Sequence, residues 1–116
     1  MRTARQTAIL LAVILNRSGQ SRARISAKTI LHLARRQRLR VAFLQNIMDE
    51  LLEFDWVLAE VGGGFGAVRA SALEAAKAVT GRRFLTAEER QRHLEWEDLE
   101  REAMPESEEE EPDEDE

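Results

Sequence analysis

Cysteine is absent from all 116 residues. That excludes disulfides, thiolate zinc sites and thiol nucleophiles, and it suits a reducing compartment. Aromatic residues are scarce at 5%, so a core has to come mainly from Ala, Leu, Ile and Val, within an apolar share of 43%. A domain of this size buries roughly 60–65% of its surface on folding, which implies modest stability. The apolar run Thr7 to Leu15, preceded by Arg2 and Arg5, imitates a secretion signal. It falls short of the roughly 20 residues that cross a bilayer. Polar Asn16-Arg17-Ser18-Gly19 stands where a small-x-small cleavage site is needed. The run therefore predicts a buried first helix, and the chain is expected to be soluble and cytoplasmic, with no membrane partner.

Acidic residues are missing from the first 48 positions; Asp49 is the first, and 10 Lys or Arg precede it. The net charge of -5 conceals this arrangement. Residues 1–83 carry 14 basic and 6 acidic side chains, a net +8, whereas residues 84–116 carry 3 basic and 16 acidic ones, a net -13. Such a split implies a head that faces a polyanion and a tail that repels one.

Periodicity predicts mainly α structure with a small β-hairpin. A first helix is expected over 3–16, with Ala8, Leu11, Ala12 and Leu15 on one stripe. Asn16 to Arg24 is expected as its exit loop, broken at Ser18-Gly19. Ser26 is a good N-cap for a second helix over 27–37, with Ile30, Leu31, Leu33 and Ala34 inward. After Arg35-Arg36-Gln37-Arg38-Leu39-Arg40, a third helix over 40–54 carries Leu44, Ile47, Met48 and Leu51 at helical spacing. The period then becomes that of strands. Trp56–Val61 and Gly66–Ala70 flank Gly62-Gly63-Gly64-Phe65, read as a hairpin with a loop of about four residues, with Phe65 at its tip either as an exposed contact residue or folded back onto the core. Ser71 with Glu74, and Thr86 with Glu89, have capping-box spacing. The first pair opens a short helix stopped by Gly81 at C′. The second opens a last helix over 87–103, whose Leu94, Trp96 and Leu99 form a sparse stripe suited to docking or to a homodimer. Residues 105–116 carry no apolar side chain and are expected to be disordered. Three regions result: a basic domain over 1–83, an amphipathic helix over 84–104 and an acidic tail over 105–116.

Three helices followed by a glycine-tipped hairpin resemble the winged helix-turn-helix DNA-binding class. The resemblance covers about residues 3–71. It is carried by the Ser26-capped helix, the turn near Arg38-Leu39, the stripe Leu44/Ile47/Met48/Leu51 and the hairpin Trp56–Ala70. It implies that the third helix enters the major groove of double-stranded DNA. Arg38, Arg40, Ala42, Gln45 and Asn46 would then face base edges, since Arg pairs with guanine and Asn or Gln with adenine. Arg22, Arg24, Lys28, Arg35, Arg36 and Arg69 would meet phosphates, making affinity fall steeply with salt. Arginines of residues 22–40 scattered over the surface, rather than gathered in one patch, would count against groove insertion. Asp49, Glu50 and Glu53 follow on the same helix and the hairpin tip is uncharged, so the docking implied is tip-on, led by residues 38–46.

Other chemistry finds little support. The glycine run lacks the Lys-Ser/Thr of a phosphate loop, so neither nucleotide nor other cofactor is expected. His32 reads as a partly buried structural histidine. His93, flanked by Glu89 and Glu97, has metal-compatible spacing on a helix rich in Glu, and no metal is expected there. No nucleophile–base set is identifiable, so the protein is not expected to be an enzyme. The expected function is a transcriptional or replication regulator. The alternative is a protein–protein module, such as an accessory or inhibitory protein of a phage or plasmid, that uses the same surface or its acidic tail as a DNA mimic. The tail has three open readings: a solubiliser, a competitor for the Arg35–Arg40 segment, or a docking segment for a basic partner.

Overall fold

A computed structural model describes residues 1–91 and 94–105. The chain divides into two compact units, Met1–Lys77 and Ala78 onward, so the division falls before the charge boundary at 83/84.

The first unit opens with α1, Ala4–Ser18. Thr3 and Gln6 form a reciprocal capping box: each side-chain oxygen accepts the other's backbone N–H at 3.0 Å. Thr7, Ala8, Leu11, Ala12 and Leu15 are buried along one face, and the Thr7 hydroxyl donates to the Thr3 carbonyl. Gly19, at φ 74, ends the helix in the left-handed conformation that glycine adopts without strain.

The expected exit loop contains a strand. β1, Arg22–Ile25, alternates outward Arg22 and Arg24 with inward Ala23 and Ile25. α2 follows at Ala27–Ala34, its N-terminus capped by the Ser26 hydroxyl accepting the Thr29 N–H. It stops short of Gln37 because Arg35 turns left-handed, at φ 57. α3 spans Val41–Leu52, and β2, Trp56–Val61, pairs antiparallel with β3, Gly64–Arg69. The tip is shorter than expected. Gly62 and Gly63, at φ 49 and 82, form a two-residue turn of the I′ kind, which two positive-φ residues favour. Phe65 is accordingly not a tip residue: it lies in β3 opposite Ile25 and is buried.

β3 also pairs with β1, giving a three-stranded antiparallel sheet in the order β1-β3-β2. Its inner face brings Ile25, Leu58, Phe65 and Ala67 against Leu11 and Leu15 of α1, Ile30 of α2 and Ile47 and Leu51 of α3. Trp56 is fully buried, and its indole N–H donates to Asn16 Oδ1 at 3.1 Å, satisfying the one polar atom of the ring.

α4, Ala70–Glu74, closes the unit. Ser71 is not its N-cap; its N–H and hydroxyl both donate to the Asp55 carboxylate, at 2.9 and 2.8 Å. In the second unit Gly81 does not stop a helix but begins α5, Gly81–Phe84, with Thr80 as N-cap. Thr86 and Glu89 do form the expected reciprocal pair, opening α6, Ala87–Gln91. The expected single helix over 87–103 is two, since Leu94 and Glu95 are not helical and α7 runs Trp96–Ala103. Neither α5 nor α7 buries a residue, and Trp96 is 68% exposed. The expected disorder of the tail beyond Pro105 and the His93 site lie outside the described residues. Among the described residues no helix is long and apolar enough to cross a membrane.

Candidate nucleic-acid interface

α3 shows how one apolar stripe creates a second, functional one. Ile47 and Leu51 are buried, and Phe43, Leu44 and Met48 pack against the core from their side of the helix. The 3.6-residue period then turns Val41, Ala42, Gln45, Asn46 and Asp49 to solvent. Val41 is 82% exposed. It was not among the expected contact residues, although its place outside the Leu44/Ile47/Met48/Leu51 stripe signalled it. The first half of this face is therefore aliphatic and amide, without charge. Arg40 is the N-cap in extended conformation and makes no side-chain cap bond, so its side chain leaves the first-turn N–H groups open. Arg38 and Arg40 are both exposed beside them.

The carboxylates farther along α3 are partly taken up. Arg5 of α1 donates to Glu50 at 2.7 Å and to Glu53 at 3.0 Å, and its guanidinium lies 5.2 Å from the Phe54 ring centre. Hydrogen bonds to Glu50 and then to Glu53 hold the Arg5 guanidinium above its ordinary pKa. Two of the three acids expected to repel phosphate are thus matched by a cation, and Asp49 remains exposed.

The cations assigned to phosphate do not share one setting. Arg22 and Arg24 lie on the outer face of the sheet, opposite the face that packs on α1, α2 and α3. Lys28 is exposed on α2, and Arg35 is exposed at its C-terminus. Arg36 is engaged inside the unit. Its guanidinium stacks 3.6 Å from the Phe43 ring centre, its Nη2 donates to the Arg2 carbonyl at 3.0 Å, and its Nε is buried. Arg2 in turn donates from its backbone to Ala34 and from its side chain to Leu33, tying the N-terminus to the end of α2. Arg69 is similarly held: it stacks 4.3 Å from Trp56, donates to Asn16 at 2.8 Å and stands 3.5 Å from the Asp55 carboxylate. By contrast, Arg22, Arg24, Lys28, Arg35, Arg38 and Arg40 make no side-chain hydrogen bond or ion pair among the described residues.

The hairpin tip meets the start of α2. Gly62, Gly63, Gly64 and Phe65 line a shallow cavity of about 350 Å³ with Arg24, Ile25 and Ser26. His32 is exposed rather than half-buried, and no group of three potential metal ligands occurs among the described residues. No protein-family model, curated protein or solved structure matches the chain.

Proposed function

We propose that the first unit binds double-stranded DNA as a winged helix-turn-helix domain and serves as a transcriptional or replication regulator, with α3 as the recognition helix. The element order α1-β1-α2-α3-β2-β3, with β3 central in the sheet, supports the fold reading. The exposed face of α3 carries the functional one: an uncharged surface of Val41, Ala42, Gln45 and Asn46, introduced by exposed Arg38 and Arg40. Amides pair with the adenine edge, guanidinium groups with guanine or phosphate, and small apolar groups with the thymine methyl. An N-terminus without a side-chain cap adds open N–H donors and a positive helix end, both suited to a phosphate. Docking led by this end keeps Asp49 away from the backbone.

Duplex binding measured against salt tests the reading. Log affinity should fall linearly with log salt, with a slope of about -0.9 per neutralised phosphate. Arg38→Ala with Arg40→Ala should weaken binding by at least about tenfold, since one bidentate base contact is worth about 1–3 kcal/mol. No duplex binding at low salt by the intact chain refutes the proposal.

A further inference from the structure

The outer face of the sheet breaks the pattern of a solvated antiparallel sheet, whose water side is ordinarily polar. Cross-strand registry sets Arg22, Val68 and Val57 in one row and Arg24, Gly66 and Ala59 in the next, with Val61 beyond. These residues line a groove of about 440 Å³. Ala59 and Val61 are exposed, Val61 by 54%, and Val57 and Val68 are partly so. Gly66 forms the floor: a Cβ there would come within 3.0 Å of a Val61 methyl, so any side chain would fill the trough or push Val61 aside. The walls differ. β2 contributes aliphatic groups, and β1 contributes two guanidinium groups without a partner among the described residues. None of the lining residues is acidic, and strand alternation sends Glu60, the hairpin's acid, to the other face.

We propose that this groove docks an acidic amphipathic helix of a partner protein. The fit is one of size and charge. Three strands about 4.8 Å apart are about 10 Å across, the diameter of a helix with its side chains. Arg22 and Arg24 are two residues apart on a strand, about 6.8 Å, and carboxylates at i and i+4 of a helix are separated by about 6 Å. A helix lying along β3 sets a Leu-type stripe on Val57, Val61 and Val68 and offers its carboxylates in register to the two arginines. Nucleic acid fits this face poorly, because phosphates would be desolvated against the valines. An apolar patch bounded by charge is the usual mark of a protein interface.

The test uses the full chain and a labelled synthetic helical peptide of Leu and Glu, with Leu at i, i+3, i+4 and i+7, followed by fluorescence anisotropy. Micromolar binding is expected. Arg22→Glu with Arg24→Glu should weaken it by at least about tenfold, and a Leu/Lys peptide of the same pattern should bind the doubly substituted chain instead. Ala59→Asp, at an exposed position, should abolish binding with an unchanged circular dichroism spectrum. Equal binding of Glu and Lys peptides by the unsubstituted chain, or no binding at all, overturns the proposal. So does a double substitution that removes duplex binding and leaves peptide binding intact, because the two arginines would then belong to a nucleic-acid surface. Since this groove and α3 share no residue, either site can fail without the other.

Discussion

The exposed face of α3 and the outer face of the sheet both present arginines without acidic partners, yet the neighbours of those arginines differ. Beside Arg38 and Arg40 stand amides and an open helix end. Beside Arg22 and Arg24 stand valines and a glycine floor. Amides and N–H groups keep their hydrogen-bonding capacity against bases and phosphates, whereas valines repay only an apolar occupant. A basic half-sequence therefore does not define a single polyanion surface. Arg5, Arg36 and Arg69 show a third fate: each stacks on an aromatic ring and donates hydrogen bonds within the unit. Of the eight cations that suggested one DNA patch, Arg36 and Arg69 are structural, Arg22 and Arg24 occupy the outer sheet face, Lys28 and Arg35 are exposed on α2 and at its end, and Arg38 and Arg40 at the start of α3 best suit a groove.

The largest perturbation should remove both faces together. Trp56 is fully buried and joins α1 to the hairpin through Asn16. Trp56→Ala should cost about 3–5 kcal/mol, as large-to-small changes at buried aromatic sites do. In a unit of this size that is most or all of the stability available. Thermal unfolding should show the transition collapse, with duplex and peptide binding lost in parallel. Survival of one binding activity would mean that its surface forms without the shared core.

That shared core was the legible part of the sequence. The α1 stripe, the Ser26 cap and the Leu44/Ile47/Met48/Leu51 spacing are local signals, and local signals set where helices lie and which side they bury. β1 was illegible because Arg22–Ile25 is four residues long and becomes a strand only by pairing with β3, far along the chain. The same pairing buries Phe65, which a glycine run otherwise makes look like a loop residue. α2 stops at Arg35 through a left-handed backbone that arginine seldom adopts. At the candidate site, the exposed residues of α3 follow from its period. The commitment of Arg36 to Phe43, and of Arg69 to Trp56, depends on contacts that no short-range pattern encodes.

Arg36 separates structural cations from ligand-facing ones. Its stacking on Phe43 and its bond to the Arg2 carbonyl join the α2–α3 turn to the N-terminus. Arg36→Ala should lower stability by about 1–2 kcal/mol, the range for a partly desolvated cation–π contact with one hydrogen bond. Arg35→Ala, at a neighbouring exposed cation, should leave stability within about 0.5 kcal/mol. Chemical denaturation of the two variants makes the comparison. If the order were reversed, Arg36 would be restored to the candidate phosphate contacts.

The smallest effect on binding is expected at the hairpin that links the two faces. Gly63 sits at φ 82, and nothing lies within 4 Å of where a Cβ would be. Gly63→Ala therefore meets no clash, and its cost is purely conformational, about 1–2 kcal/mol for a left-handed non-glycine residue. For a domain of this length each kcal/mol corresponds to about 4–8 °C in the melting temperature. Because the turn carries no charge and Val61 precedes it in β2, the strained but unslipped hairpin should keep both duplex and peptide binding below the transition. A loss confined to peptide binding would show that the strain had shifted the register and turned Val61 off the outer face, since a one-residue slip exchanges the two faces of a strand. A loss confined to duplex binding would instead place the tip against the DNA backbone, where an added methyl obstructs the approach of phosphate.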